Sequence, residues 1–315
     1  GSEDDESART AASDEGAEPS RRFVTTVQFL RAHDGEFVYE DHGSPWSVVA
    51  RNVDLRLRKE IGYGGQASFN GGTLQIGEFQ PMTIGMDANY ELDGGLVELS
   101  HIDLTMDGVE SIVTGSLDLL NWPESTYEIV ESSIDLPTMK DVFFAEDNFL
   151  VTGNATFTGL WHIFDGGREL SGTFKSADAA LQELPFPALN GDLIWTQDRF
   201  EILRAESSFF DGEIEFDYAM KPLGSISSGV STFDVNYTEV DLDLLFDALA
   251  VSGARPTGKA GGNVFLNWPI GRFENRYGDG TLLVSPPSGV QLQSRNPRGK
   301  RAREQWAYAE KPIGI

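Results

Sequence analysis

The chain has 315 residues, with 24 lysines and arginines against 50 aspartates and glutamates, and it contains no cysteine. The net charge of −26 disfavours nucleic-acid binding and charge-driven adhesion to anionic lipid headgroups, because like charges repel. The lack of cysteine excludes disulfides, thiolate catalysis and cysteine-based zinc sites. A hydrophobic content of 40% is nevertheless sufficient for a packed core.

The N-terminal segment differs in composition from the central part of the chain. Residues 3–20 are mostly acidic or small and include no large apolar side chain, so we expect residues 1–22 to form a disordered acidic tail. No apolar run approaches the roughly 18–20 residues of a transmembrane helix, and no signal peptide is evident. We expect one folded, repeated β domain over residues 23–286.

The central part of the chain alternates between apolar and polar side chains with a period of two. Residues 53–58 and 213–218, for example, have aliphatic or aromatic side chains at every second position and charged side chains between them. This pattern predicts antiparallel strands with one apolar and one solvated face. Within residues 97–106 the apolar positions change parity, which predicts a β-bulge near Ser100 and His101.

Asn-Gly and Asp-Gly pairs fall between these runs, for example at residues 70–71, 93–94 and 211–212. Both pairs favour tight hairpin turns, because Asn, Asp and Gly tolerate left-handed backbone conformations. The 34 glycines are therefore interpreted mainly as turn residues. Their spacing predicts strands of about ten residues joined in a long meander.

Only two segments carry helical signals. Residues 137–144 begin with a proline, which suits a first helical turn, and residues 241–250 have apolar side chains at helical spacing behind Asp241 as the N-cap. Both are expected to be short caps at strand ends. The predicted fold is therefore all-β: a long antiparallel meander sheet curled into an elongated groove or sandwich, with two short helices.

The two helical segments also reveal an internal repeat. An Asp-Leu pair opens each segment, at residues 135–136 and 241–242, and a Thr-Gly pair comes after each, at residues 152–153 and 257–258. The matched positions are roughly 105 residues apart, which suggests an elongated sheet built from repeated units. The alternative is chance similarity between glycine-rich hairpins.

The C-terminal segment, residues 287–315, reverses the charge of the domain. Its six lysines and arginines, from Arg295 to Lys311, oppose only Glu304 and Glu310. This basic tail is expected either to be solvated or packed on the end of the domain, or to dock on a partner, an acidic surface or a neighbouring copy.

Three segments carry a family resemblance: residues 240–245 (Val-Asp-Leu-Asp-Leu-Leu), residues 257–262 (Thr-Gly and two further glycines) and residues 278–282 (Gly-Asp-Gly-Thr-Leu). Together with the glycines placed among strand residues at 114–119 and 189–193, these segments resemble the AsmA-like family. The resemblance implies a long, U-shaped β-sheet with an apolar inner face, which lies in the envelope of diderm bacteria and helps to move phospholipid towards the outer membrane. Because that family usually carries an N-terminal membrane anchor, the chain is expected to be a periplasmic fragment that lacks its anchor.

A wide sheet with one apolar face must cover that face with a second sheet, with helices, with a partner or with lipid. Two short helices are not enough, so we expect the sheet to curl and acyl chains to fill any part left open. The candidate lipid-binding groove residues are the apolar sets of the alternating strands: Val53, Leu55, Leu57, Val97, Leu99, Ile102, Leu104, Met106, Val113, Leu117, Leu119, Ile214, Phe216, Tyr218, Val264 and Leu266. The alternative for each is an ordinary residue of a closed sandwich core.

Catalytic motifs are absent or weak in the sequence. The four histidines lack metalloprotease spacing, and neither a serine-hydrolase elbow nor a Walker-type phosphate loop occurs. Carboxylate pairs such as Asp241 with Asp243 and Glu213 with Glu215 are typical of solvated faces in an acidic protein. We therefore expect no catalytic residue, no metal site, no cofactor and no enzymatic activity.

These observations favour a non-enzymatic envelope protein whose apolar β-groove holds or conducts phospholipid, or another acyl-chain lipid, between membranes or supports outer-membrane assembly. An envelope membrane protein is the expected protein partner, and nucleic acid is not expected as a ligand. One alternative is a structural or adhesive β-repeat protein with a closed core. The other is a carbohydrate-active domain with an acidic cleft, which would need two carboxylates about 5–10 Å apart.

Overall fold

The computed structural model describes residues 26–40, 43, 45–59, 62–250 and 257–285. The expectations for the acidic and basic tails fall on residues outside this part of the chain. Within it, fifteen antiparallel strands form one large sheet and three short strands form a second sheet. Two α-helices and one 3₁₀ turn complete the regular structure of the described residues.

The strands of the large sheet are arranged in chain order. They are β1 (Phe29–Glu40), β2 (Trp46–Lys59), β3 (Tyr63–Ile76), β4 (Met82–Asp93), β5 (Leu96–Met106), β6 (Val109–Asp118), β7 (Ser125–Asp135), β9 (Asn154–Phe164), β10 (Gly167–Ser176), β13 (Leu189–Thr196), β14 (Phe200–Phe209), β15 (Gly212–Lys221), β16 (Val230–Asp241), β17 (Lys259–Pro269) and β18 (Tyr277–Ser285). The small sheet consists of β8 (Val151–Thr152), β11 (Ala179–Leu181) and β12 (Leu184–Phe186), with β11 in the middle. The helices are α1 (Leu136–Phe143) and α2 (Leu242–Ala248), and the 3₁₀ turn is Phe273–Asn275.

The predicted fold class is confirmed, because the chain forms an all-β meander that is curled but not closed, with two short helices. The parity change within β5 is a β-bulge. Asn89 of β4 pairs with His101, whereas Tyr90 pairs with Leu99, so the register skips Ser100. The extra residue keeps the apolar side chains on both sides of the bulge on one face of the sheet.

Both helices begin at an aspartate that ends a strand. The Asp135 carboxylate accepts a hydrogen bond from the backbone N–H of Thr138 at 3.0 Å. The Asp241 carboxylate accepts one from the backbone N–H of Leu244 at 3.2 Å. Such caps stabilise a helix because its first N–H groups have no acceptor within the helix.

The two helices are also anchored alike at the next strand. Leu136 donates its N–H to the carbonyl of Gly153 at 3.2 Å, and Leu242 donates its N–H to the carbonyl of Gly258 at 3.1 Å. Gly153 and Gly258 have φ values of +100° and +112°, a region that favours glycine, which explains the glycine of each Thr-Gly pair. The two segments that suggested the internal repeat therefore share their local structure.

The curl of the sheet brings β2–β4 against β13–β15. The rings of Trp46 in β2 and Trp195 in β13 lie 5.0 Å apart. The turn between β3 and β4 meets the loop between β15 and β16, where Glu78 donates its N–H to the carbonyl of Gly224 at 2.8 Å. Helix α1 packs into this junction through buried Val142. We call the resulting cluster the junction core; its buried members are Trp46, Leu74, Ile76, Phe79, Met82, Ile84, Val142, Met220, Leu223 and Ile270.

Three smaller apolar clusters lie elsewhere on the same face. The cluster around Ile214 is covered by β12 and α2, which contribute Phe186 and Leu245. The clusters around Ala88 and Phe157 consist only of side chains from neighbouring strands of the large sheet. Long-range cover of the apolar face is therefore concentrated at the junction core and beside α2.

Candidate functional site

The candidate site is one face of the large sheet, which we call the inner face because Trp46 and Trp195 meet on it. The pairing register carries this face from strand to strand: Ile102 of β5, for example, pairs with Ala88 of β4 and with Val113 of β6. Paired residues of antiparallel strands point to the same side of a sheet. The register therefore decides for each strand which residues belong to the inner face.

All the predicted groove residues except Leu119 lie on the inner face. Leu119 comes after the end of β6, and its side chain is 47% exposed in the turn before β7. Ile102, Val113 and Ile214 are buried, while the other inner-face candidates are only half-buried. The inner face is therefore partly accessible along the strands that carry these candidates.

The carboxylates of the paired strands are confined to one of the two faces of the sheet. No register-paired position on the inner face carries a carboxylate, although the chain has 50 of them. Lys59 and Arg168 are the only charged residues at such positions. The acidic residues of the paired strands thus lie on the solvated outer face, as the alternation predicts.

Arg168 of β10 is a buried cation at the junction core, with 8% of its surface exposed. Its guanidinium carbon lies 5.2 Å from the ring centroid of Trp46 and 6.0 Å from that of Tyr39. Cation–π attraction of this kind stabilises a cation that is withdrawn from water. Because Tyr39 and Trp46 belong to β1 and β2, Arg168 also links distant strands across the curl.

Aromatic side chains of the inner face lie over glycines of the neighbouring strand. Tyr90 of β4 crosses Gly65 of β3 and donates its hydroxyl hydrogen to the carbonyl of Arg56 in β2 at 2.8 Å. A Cβ atom at Gly65 would lie 2.9 Å from the Tyr90 hydroxyl oxygen and 1.8 Å from the Arg56 carbonyl oxygen. Only glycine leaves room for this crossing.

The same arrangement recurs near the other edge of the sheet. Tyr237 of β16 crosses Gly262 of β17 and donates to the carbonyl of Thr281 in β18 at 2.8 Å. Burial raises the pKa of the hydroxyls of both Tyr90 and Tyr237. Both hydroxyls are therefore neutral hydrogen-bond donors at ordinary pH.

Three further aromatic residues make similar contacts. Tyr127 lies against Gly115, Phe157 against Gly159 and Gly172, and Phe174 against Gly191. These rings extend along the sheet instead of projecting from it, so the inner face keeps a low relief.

The interpretation of the glycines mainly as turn residues was incomplete, because these inner-face glycines lie within strands. The predicted hairpin turn at residues 70–71 was wrong, because both residues lie within β3, where the pairing with β4 shifts register between Phe69 and Gly72. A signal was present in the sequence, since Gly115 has the same parity as Val113 and Leu117. Glycine at an apolar strand position leaves space for a large neighbour, which a turn glycine does not need to do.

Aromatic side chains around α1 close the inner face at the junction core. Phe143 packs edge-on against Phe79 and Trp195, with ring centroids 5.1 Å and 5.9 Å apart. Edge-to-face contacts of this kind add to the stabilisation that burial of the rings provides. The inner face is therefore covered where α1 packs between β2–β4 and β13–β15.

A buried carboxyl group fastens this closure to the turn after β17. Asp147 is 2% exposed, and its Oδ1 atom accepts a hydrogen bond from the backbone N–H of Phe273 at 2.7 Å. Its Oδ2 atom has no hydrogen-bond partner among the described residues. Burial raises the pKa of the Asp147 carboxyl, and this effect outweighs the opposing effects of the Phe273 hydrogen bond and of Lys140.

The inner face opens at the ends of β2–β6 that lie away from the turn between β3 and β4. An open depression of about 460 Å³ lies there, lined by Lys59, Gly62, Tyr63, Leu92, Asp93, Gly94, Gly95, Leu119 and Leu120. Tyr63 pairs with Leu92, and Leu92 pairs with Val97, so the depression continues the inner face. We call this depression the mouth.

Titratable side chains form pairs on the surface. His33 lies 2.7 Å from Asp54, and His162 lies 2.7 Å from Glu124. Among the described residues, no group of three or more histidine and acidic side chains could hold a metal ion. None of the described helices is long and apolar enough to cross a bilayer.

Comparison with protein-family models, with curated proteins and with solved structures gave no significant match.

Proposed function

We propose that the inner face is a groove that holds the acyl chains of phospholipid or of another lipid. The observation that carries this proposal is the inner face itself, which is apolar, has no carboxylate at its paired positions and continues into an open mouth. A continuous row of half-buried apolar side chains is typical of a surface that binds an apolar partner. Acyl chains can occupy such a surface without a directional contact.

The dimensions and the shape of the groove suit this ligand. An 11-residue strand such as β5 spans roughly 35 Å, whereas one leaflet of a bilayer has about 15 Å of hydrocarbon. Burial of each methylene contributes roughly 0.8 kcal/mol. Because the aromatic rings lie over glycines and keep the relief low, a chain can shift along the groove without losing a specific anchor.

We also propose a wider role as a non-enzymatic protein of the bacterial envelope. In this role the chain conducts phospholipid between membranes, or supports outer-membrane assembly, together with an envelope membrane protein. The groove supports the handling of lipid, and the resemblance to the AsmA-like family supports the periplasmic location.

The inner face argues against both alternatives. A structural or adhesive protein with a closed core would bury its apolar face throughout, whereas Leu55, Leu117 and Val264 are half-buried. A carbohydrate-active cleft would need two facing carboxylates on its concave surface. The paired positions of the inner face offer none.

The test is native mass spectrometry of the full chain after mild purification. We expect masses of bound phospholipid on the wild-type chain. Leu117→Asp should reduce the bound fraction at least tenfold, because a carboxylate in the groove disfavours contact with hydrocarbon. Ser116→Asp is the matched control, since Ser116 is the adjacent residue on the outer face.

Two results would contradict the proposal. One is a wild-type chain that is free of lipid and takes up no added phosphatidylethanolamine. The other is an equal loss of lipid in both variants while their circular dichroism spectra remain those of the wild type.

A further inference from the structure

The turn between β6 and β7 forms an exposed apolar tip, which we define as residues 119–122. Leu119, Leu120 and Trp122 are 47%, 78% and 57% exposed. Leu119 and Leu120 also line the mouth. The tip is therefore a continuation of the groove lining that projects beyond the ends of the strands.

Hydrogen bonds hold this tip in one shape. The Asp118 carboxylate accepts hydrogen bonds from the backbone N–H of Leu120 at 2.8 Å and from the side-chain amide of Asn121 at 2.7 Å. Leu119 donates its N–H to the carbonyl of Gly95 in the neighbouring turn at 2.9 Å. The bond from the Asn121 amide is the main reason why the pKa of Asp118 is lowered, so this carboxylate stays charged and keeps its role in the turn. The apolar side chains are thus displayed on a well-anchored turn.

The size of the tip favours insertion into lipid over docking to a protein. Three side chains present on the order of 400 Å² of surface, whereas a stable protein interface buries about 800 Å² on each partner. A membrane interface has no such requirement, and tryptophan is enriched there because its ring is apolar while its N–H is polar. Leucine side chains beside it add affinity in proportion to the apolar area that they bury.

The charges around the mouth favour a neutral lipid surface over an anionic one. Asp93 lines the mouth, and Glu124 comes just after the tip. Lys59 is the only lysine at a paired inner-face position, and it lies in the mouth, with its ammonium 5.4 Å from the ring centroid of Tyr63. A single cation among carboxylates can meet the phosphate of one lipid but does not attract a charged surface.

We propose that the tip inserts into the interfacial layer of a phospholipid membrane and so places the mouth at the lipid surface. The purpose of this contact rests on the proposed function, because it would let an acyl chain pass between the membrane and the groove. The contact itself depends only on the tip, so docking and groove loading can be measured separately.

The experiment uses the absence of cysteine from the chain. Leu120→Cys gives a single labelling site for the fluorophore NBD, whose emission rises and shifts to the blue in an apolar environment. With phosphatidylcholine vesicles we expect an intensity increase of at least threefold that 0.5 M salt leaves unchanged. Replacing Leu119 and Trp122 by Ser in the labelled chain should remove most of this increase.

The matched control is Leu244→Cys, because Leu244 is 43% exposed in α2, at the opposite end of the strands. This label should not respond to vesicles, and phosphatidylglycerol should weaken the response at residue 120. The proposal is overturned if the label at residue 120 does not respond, if both labels respond equally, or if the chain binds phosphatidylglycerol more strongly than phosphatidylcholine. It is also overturned if the fluorescence depends on protein concentration without vesicles, because that would mean contact between copies. If the tip does not respond but native mass spectrometry still detects bound lipid, only the docking proposal fails.

Discussion

The junction core and the mouth lie on the same face of one sheet, yet the first is covered and the second is open. Ile76 and Met220 in the junction core are 1% and 2% exposed, whereas Leu92 and Leu117 near the mouth are half-buried. In the junction core β13–β15 and α1 lie opposite β2–β4, while the mouth is lined only by neighbouring strands and their turns. The comparison teaches that alternation decides which face is apolar, and that distant contacts decide whether this face is covered.

The largest expected difference between the two regions is in stability. Ile76→Ala should lower the free energy of unfolding by about 3 kcal/mol, because it leaves a cavity in a fully packed site. Leu117→Ala should lower it by about 1 kcal/mol or less, since this side chain is only half-buried. Urea denaturation of the lipid-free chain measures both values. Equal losses of unfolding free energy would mean that the inner face near the mouth is as fully covered as the junction core.

Two adjacent glycines of β3 test whether the inner face near the mouth depends on glycine. Gly65→Ala should destabilise the chain by about 2 kcal/mol and reduce lipid uptake, because its Cβ would collide with the Arg56 carbonyl and displace Tyr90. Gly64→Ala should change stability by no more than about 0.5 kcal/mol, because its Cβ would make ordinary contacts on the outer face. Thermal unfolding and a lipid-uptake assay give both readouts. Equal stability and equal lipid uptake of the two variants would mean that this part of the inner face does not depend on glycine.

The smallest expected effect concerns the pH dependence of the closed region. The Asp147 carboxyl has a pKa above its ordinary value of 3.8, so in the pH range just above that value the folded chain binds its proton more tightly than the unfolded chain does. Its contribution to stability therefore falls as pH rises through this range. Asp147→Asn keeps an acceptor for the Phe273 N–H and lacks this titration.

From pH 4 upwards, the unfolding free energy of the wild type should accordingly fall relative to that of Asp147→Asn, and the difference should then level off. Urea denaturation of both proteins from pH 4 to pH 7 measures it. A shift in favour of the wild type as pH rises would show that the buried carboxylate is stabilised by its surroundings.

Much of the sheet could be predicted because its signals are local. The alternation in residues 53–58 and 213–218 and the parity change at Ser100 result directly from the period of a β-strand. Asp135 and Asp241 could be recognised as caps, since a cap needs only a few neighbouring residues. Most of the candidate groove residues lie on one face for the same local reason.

The cover of that face could not be predicted, because it depends on contacts between residues far apart in the sequence. Nothing near Trp46 indicates that it meets Trp195, and nothing near Arg168 indicates that it lies over a ring of β2. Leu119 continues the apolar parity of β6, but the strand ends at Asp118. The Asp118 carboxylate accepts a hydrogen bond from the N–H of Leu120 and so starts the turn. Parity alone does not report where a strand stops.

The most direct test of the open groove is site-specific photo-crosslinking to phospholipid in cells. A benzophenone side chain placed in turn at residues 97, 98, 99, 116 and 117 samples both faces of β5 and β6. We expect lipid adducts at the inner-face positions Val97, Leu99 and Leu117, and none at Glu98 and Ser116. Adducts that do not track this alternation, or their absence at every position, would contradict the presence of an open lipid groove.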